Sequence, residues 1–487
     1  MKKPLILALA LFVLACSTHR VAATPPVPIP GNPDLDAATR AVRSLLVDLV
    51  AAETINPPGN EARAVALGAS RLDEAGIPYE ITEFAPGRSN LVARLRGNGS
   101  APPLLLLAHI DVVGADGQDW SVPPHTVTEK DGYLYARGVA DDLGMAAVEL
   151  EVLILLARSG LPLDRDVIVA WTGDEESGGA GLRWLLENRP ESVEAGLAIN
   201  EGGGIVLGDD GKPARVRLQT AEKTYQDFTL TTYGQTGHSS VPLRDNAIYR
   251  LSRALDRIGR HRFPARLLPV TQANFAARAP MEESPLAEAM ATIAASRETL
   301  PKKELSIIDR NPSESASLRT TCVATQIAGG TRANALPARV EATINCRILP
   351  GQSIAAIEGA LVRMVGDPEV EFEVSDDFGG APASPLDGPG PEAIAATVEE
   401  MWPGLPIVPY MSRGATDSRF LRARGIPAYG ISPIALSAAD GLRAHGVDER
   451  IPEASLRPAV EFLYRLVARL AVERNEAPAP GESPGPN

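Results

Sequence analysis

Two short unbroken apolar runs, Leu104-Leu105-Leu106-Leu107 and Val167-Ile168-Val169-Ala170-Trp171, constrain the fold of this chain more than any other feature. A strand with water on one face alternates apolar and polar residues. A short run without alternation, ended by turn residues, reads as a strand covered on both faces, as in a helix-flanked parallel sheet. The second run stops at Thr172-Gly173, and Asp174, Glu175 and Glu176 follow without a gap, closed by Gly178-Gly179. Three adjacent acids repel one another, so stability alone gives no reason to place them at the mouth of a buried strand. In open α/β sheets, ligand sites lie just outside the carboxyl ends of strands. Neighbouring glutamates there suit a divalent cation: one carboxylate binds it and another stays free to move a proton. Taken alone, the segment also fits a solvated acidic turn.

A βαβ rhythm surrounds these strands. The pattern predicts a helix over Asp36 to Glu53, strands at NLVARL and Leu104 to Leu107, and a helix from Met145 to Ser159. A helix from Ala180 to Asn188 and a short strand from Gly196 to Asn200 follow the second apolar run. That alternation predicts a mainly parallel sheet with helices on both faces. Near Thr224 the character changes. FTLTTYGQTG and EVEFEVS alternate strictly, helices are expected at Ala247 to Gly259 and Ile354 to Val365, and strands around Cys322 and Cys346. This predicts a separate α+β unit with one sheet face exposed. After the Gly/Pro-rich DFGGAPASPLDGPGP, buried patterns resume with IPAYGIS and a closing helix from Ser455 to Arg474. The expected layout is an export signal at 1–23, a Pro-rich tether at 24–34, and a catalytic domain in two parts, 35–223 and 384–474. An inserted lid or dimerisation domain at 224–383 interrupts it, and a disordered tail occupies 475–487. The polar stretch from Arg262 to Asn311 carries no interpretable motif.

At 487 residues the chain exceeds one ordinary core, since domains run to about 150 residues. Its formal charge of −14 argues against nucleic acid, because a phosphate-binding surface needs a basic excess. Lys2-Lys3 followed by PLILALALFVLA has the form of an export signal. Cleavage before Cys16 in VLAC makes a lipidated bacterial protein of the periplasm or cell envelope; cleavage before Thr24, after Val21-Ala22-Ala23, releases a soluble one. Of the three cysteines, Cys322 and Cys346 remain as an even pair in an oxidising compartment, either bridged across two strands or left as buried thiols.

Further acids and histidines gather at the ends of the other apolar runs. LLLLAHIDVVG places His109 and Asp111 two apart, and YARGVADDLG brings Asp141 and Asp142 to a turn before a helix, where helix capping is a sufficient alternative. LAINEGGG ends in Glu201, and RAHGVDERIP carries His445 in a loop before the last helix. Each segment has a structural explanation of its own. Their coincidence at successive strand ends of one sheet points to a shared metal site.

Seven motifs, AHIDVV, RGVADD, TGDEESGG, INEGG, TGHSS, the NALP loop with NCRILPG, and AHGVDER, stand in one order along residues 36–474. In that order the chain resembles the co-catalytic di-zinc peptidases, the superfamily of carboxypeptidase G, aminoacylase, the carnosine dipeptidases, acetylornithine deacetylase and succinyl-diaminopimelate desuccinylase. The resemblance implies an α/β zinc-peptidase catalytic domain with an inserted α+β lid. It implies that His109 and Glu201 bind one zinc, that Glu176 and His445 bind the other, and that Asp141 bridges both. Cobalt or manganese suits the same donors. Asp111 would orient His109, and Glu175 would be the general base. His238 of TGHSS would stabilise the oxyanion, often in the partner's site of a homodimer formed through the lid. Asn334 would hydrogen-bond substrate, and Arg347, Arg413 or Arg332 would receive its carboxylate. Leu143 stands where the family has Lys, which spares the ligands and puts the pocket wall in question.

The reading that follows is an exported metal-dependent hydrolase of a peptide or amide bond next to a free carboxylate, of dipeptidase or carboxypeptidase type. The alternative substrate is an N-acyl amino acid. A catalytically silent binding protein and a solute-binding lipoprotein are the competing non-enzymes. The first calls for a lost ligand or base and the second has no use for the full set; none is lost.

Overall fold

In the structure, a computed structural model that describes residues 29–375 and 380–472, the two apolar runs lie side by side. Leu104–His109 pairs in parallel with Val167–Thr172 over six residues, and every residue of both strands is buried. Side-chain parity divides the strands between two cores. Leu104, Leu106, Val167, Val169 and Trp171 face the main cluster, with the helices Leu35–Ala51, Leu143–Ser159 and Leu456–Ala471. Leu105, Leu107, Ile168 and Ala170 face a smaller cluster on the opposite side, with the helix Ala180–Asn188. The period-2 geometry of a strand thus explains why no polar residue interrupts either run.

Eight strands form this sheet, in the order Tyr79–Ala85, Arg88–Leu95, Val167–Thr172, Leu104–His109, Leu197–Leu207, Ala428–Ser437, Pro213–Glu222 and Ile407–Ser412. The central four are mutually parallel, so their carboxyl ends open on one edge. The helix Leu143–Ser159 has nearly every residue buried, which is why its sequence lacks a polar face.

Leu197–Leu207 runs well past Asn200, where sequence reading expects a short strand ending at the glycines. The glycines continue the strand because three backbones converge there. A Cβ on Gly203 would lie 2.1 Å from the Gly430 carbonyl oxygen and 2.4 Å from that of Arg217.

From Thr224 the chain builds a second, wholly antiparallel sheet, in the order Thr321–Gly329, Arg339–Ile348, Thr224–Tyr233 and Val370–Val374. The helices Ala247–Arg260 and Ile354–Val365 cover one face, around Phe228, Leu230, Ile344 and Leu361. The Asn246 side chain caps the first helix by accepting from Tyr249 N at 3.0 Å, and Gly366 (φ +57°) ends the second in the left-handed conformation. The stretch from Arg262 to Asn311, without a motif in sequence, is mostly helical: Pro269–Arg278, Leu286–Ala294, Lys302–Ile308 and, just beyond, Pro312–Ser317. These short helices enclose a small core of Phe275, Met290, Ile293, Ile308 and Leu318.

Cys322 and Cys346 stand opposite each other in register and are joined by a disulfide. It joins cysteines 24 positions apart, so replacing both by serine is expected to cost about 2–4 kcal/mol. Chemical denaturation of the second sheet reads this out, and an unchanged midpoint would show that the bridge adds no constraint.

Among the described residues, no helix is long and apolar enough to cross a membrane. The export signal with Cys16, residues 24–28 of the Pro-rich tether, and the tail lie outside the described residues.

Candidate metal centre

The turn after Val167–Thr172 shows how three consecutive acids are accommodated. Asp174, held at φ +73°, turns away from its neighbours. One oxygen accepts from Arg88 Nη1 at 2.8 Å and Asn56 Nδ2 at 3.2 Å, and the other accepts from Ala180 N at 3.1 Å. Glu175 and Glu176 are fixed by their backbones instead. Their N–H groups donate to the two oxygens of Asp111 at 3.1 and 3.2 Å, and Asn56 Nδ2 donates to the second at 2.7 Å. Fully buried Asp111 therefore ties the end of Leu104–His109 to the Glu175-Glu176 turn.

His109 ends its strand with Nδ1 3.0 Å from the backbone oxygen of Asp111 and 3.6 Å from its carboxylate. The closer partner is thus the Asp111 carbonyl, where the two-apart spacing suggested the carboxylate. Either acceptor leaves Nε2 for the cleft, 3.1 Å from Asp141 Oδ1. The other Asp141 oxygen lies 3.2 Å from His445 Nε2, which is also 3.0 Å from Glu176 Oε2. Asp141 therefore stands between two histidines from opposite ends of the chain. Helix capping does not account for this turn, because Asp142 occupies the cap position without a side-chain capping bond.

Burial pushes the Asp141 carboxyl up, but the hydrogen bonds from His109 and His445 prevail and hold it below the ordinary range. Those with Asp141 and Glu176 lift His445 to about 10. Burial raises both Glu175 and Glu201 well above a normal glutamate, and neighbouring acids add to it. Such crowding of acids and imidazoles is unfavourable without a cation. His109, Asp141 and Glu176 offer ligand atoms that all lie within 4.8 Å of one another. Glu176 Oε1 is buried with no hydrogen-bond partner among the described residues, a vacancy that a cation satisfies. Imidazole and carboxylate donors suit zinc, cobalt or manganese, so the residues present fit a divalent metal.

Protons compete for the same donors. The folded chain holds a proton on His445 below about pH 10, where a free histidine loses it near 6.5. Apparent metal affinity should therefore rise with pH up to about 10, about tenfold per unit for each proton displaced. Calorimetric metal titrations up to that pH measure it; a flat profile would mean that the metal displaces no proton from His445.

Asp141, Glu175, Glu176, Glu201, His445 and Arg347 line one cleft of about 470 Å³. Within that lining Arg347 holds its guanidinium 4.6 Å from the ring centre of Tyr225. Arg413 lines the adjoining cavity instead, where it donates to Ser313 Oγ, and its carbonyl accepts from Arg347 Nη1 at 3.2 Å. His238 and Asn334 are not among the residues lining the cleft. They meet on an exposed two-stranded ribbon, where His238 pairs with Ala335 and Ser239 N donates to the Asn334 carbonyl at 3.0 Å. Arg332 lies exposed in the turn before that ribbon. Leu143 is buried in the main core, so the residue standing for the family's Lys does not line the cleft.

Sequence reading passed over two buried acids. Glu449 accepts from Ala140 N at 2.9 Å, Asp141 N at 3.2 Å and Arg137 Nη1 at 2.7 Å, and so holds the Asp141 turn in place. Burial raises its pKa to about 7. Asp417 accepts from Thr172 Oγ1 at 3.0 Å, and burial raises it to about 6. Glu449 stands within the AHGVDER motif, four residues past His445, and that was its only signal.

Residues 105–469 match the description "Peptidase family M20/M25/M40". The chain is 32% identical over 402 residues to the human N-fatty-acyl-amino acid synthase/hydrolase PM20D1, covering 80% of this chain and 78% of that one. To the rat aminoacylase-1A it is 28% identical over 441 residues, covering 88% and 94%. The M20 family metallo-carboxypeptidase Sso-CP2 of Sulfolobus solfataricus shares its fold with a TM-score of 0.68 at 19% identity, over 88% of this chain and 98% of that one. Human carnosine dipeptidase 1 does so at 0.62 and 17%, over 90% and 98%. With its metal donors gathered at the carboxyl ends of a mainly parallel sheet, the chain belongs to peptidase family M20/M25/M40 and is a metal-dependent hydrolase.

Proposed function

We propose that the protein hydrolyses the amide bond of N-acyl amino acids, with Arg347 receiving the free carboxylate of the amino acid. The observation that carries this reading is that Arg347 lines the same cleft as Glu175, Glu176, Glu201 and His445. A guanidinium fork there matches a carboxylate. The names of the human and rat relatives, an N-fatty-acyl-amino acid synthase/hydrolase and an aminoacylase, support the acyl side over a peptide.

His109, Asp141, Glu176, Glu201 and His445 would hold two zinc ions. When bound, such a pair supplies Lewis acidity that activates water and polarises a carbonyl. Glu175 takes the proton of the attacking water and delivers it to the leaving nitrogen as the C–N bond breaks, ending as the carboxylate it began as. Asp111 keeps His109 in the tautomer that presents Nε2 to the cleft. His238 donates to the oxyanion from a second copy of the chain, with Asn334 beside it on substrate. The edge strand Thr321–Gly329 supports such a homodimer: it exposes Val323 and Ile327 and, among the described residues, has an unpaired side that a partner can cover.

A panel of N-acyl amino acids, their C-terminal carboxamides and dipeptides tests the substrate reading. The free acids should exceed the matched carboxamides about 10–100-fold in kcat/KM. Equal rates would remove Arg347 from its role, and cleavage of dipeptides alone would replace the acyl reading. Export, with lipid attachment at Cys16, is part of the same proposal, and the mass of the mature N-terminus tests it. A start at unmodified Thr24 would exclude the anchor, and an intact Met1 would exclude export.

A further inference from the structure

The helical segment 262–318 walls a second cavity of about 520 Å³ against the edge strand Ile407–Ser412 and its neighbour Pro213–Glu222. Its two walls are fastened together, with Asn274 Nδ2 donating to the Pro409 carbonyl at 2.9 Å. Arg278 in this lining is neutralised by Glu282 at 2.6 Å and Glu314 at 3.0 Å. Arg215, Arg217 and Arg413 also line the cavity. Among the described residues, none of these three has a carboxylate within 4.0 Å. In a chain of formal charge −14, this is a local excess of unpaired positive charge. Arg215 and Arg217 stand two apart on one strand and so project to the same side. Arg217 lies over the Tyr410 ring at 4.2 Å, a cation–π contact that steadies its guanidinium.

The cavity adjoins the metal cleft. Ser412 and Gly414 line both, and the intervening Arg413 accepts from Arg347 through its carbonyl. We propose that this cavity is a second subsite, one that binds a carboxylate or phosphate group on Arg215 and Arg217. Two sources share that chemistry. One is an acid group at the far end of the substrate's acyl arm, reaching past Ser412 and Gly414. The other is a free anion acting on Arg347 through the 412–414 segment. The first source rests on the amide-hydrolase reading above, and the second does not.

The test uses the full, metal-loaded protein and its Arg215→Ala/Arg217→Ala variant, with Arg217→Lys as the variant that keeps charge but loses the fork. Two substrates with the same amino acid are compared, one carrying a hexanoyl arm and one an adipoyl arm that ends in a carboxylate. Glutarate and inorganic phosphate are titrated separately by calorimetry. A substrate-borne anion predicts that the adipoyl-over-hexanoyl preference in kcat/KM falls about tenfold in the double variant, with the hexanoyl rate unchanged and Arg217→Lys intermediate. A free anion predicts no change in that preference but at least about tenfold weaker binding of glutarate or phosphate to the double variant. If neither preference nor binding changes, the subsite does not exist. If the unaltered protein cleaves neither substrate, the amide-hydrolase reading fails, and calorimetry alone decides on the anion site.

Discussion

Replacing Glu175 by Gln should leave both metals bound and remove nearly all turnover. Glutamine keeps the shape of the side chain and the backbone N–H bond to Asp111, 3.1 Å long in the structure. It cannot accept a proton. Positioned proton transfer contributes about 10²–10⁴ in rate, and a loss of that size is expected in kcat, with metal content unchanged. His109→Ala and Asp141→Ala should behave differently, because Nε2 of His109 and both oxygens of Asp141 point into the donor cluster. Those variants should lose metal along with activity. Paired measurements of kcat and of metal per chain separate the two classes. Wild-type turnover in Glu175→Gln would remove Glu175 from the reaction.

His238→Ala should lower kcat by about 10²–10³ while changing KM little, because a donor to the oxyanion acts mainly in the transition state. Within one chain His238 is exposed and absent from the cleft lining, with Nδ1 2.7 Å from Ser240 Oγ. The donor therefore has to arrive from outside the cleft, and a second copy of the chain is the proposed source. Mixing inactive His238→Ala with inactive Glu175→Gln should then restore partial activity, since one site of each mixed dimer receives both intact groups. No recovery despite proven subunit exchange would place the donor within its own chain and withdraw the dimer.

Features that depend on neighbouring residues were legible in the sequence. The unbroken runs at Leu104 and Val167 identified the buried strands, and the alternation in FTLTTYGQTG and EVEFEVS the half-covered faces of Thr224–Tyr233 and Val370–Val374. Histidines and acids collected at strand ends, where side-chain packing does not call for them, marked the metal cleft. Contacts between distant parts of the chain were not legible. Glu449 holds Asp141 across 308 positions, and no local pattern signals such a bond. The glycines after Glu201 suggested a strand end, because crowding against Gly430 and Arg217 is invisible until the sheet is assembled. The helices between 269 and 317 are short and bury few residues each, so their apolar spacing did not stand out from a polar loop. Arg413 reads as a partner for substrate by residue type, but the bend at Ser412 to Gly414 turns its guanidinium to the neighbouring cavity.

Metal dependence is best tested by stripping the purified protein with a chelator, then restoring zinc in steps while following both metal content and amine release from an N-acyl amino acid. The proposed two-metal centre predicts an inactive stripped protein whose activity returns with metal and levels off at two equivalents per chain. Full turnover by the stripped protein would contradict a metal-dependent hydrolase built on His109, Asp141, Glu176, Glu201 and His445.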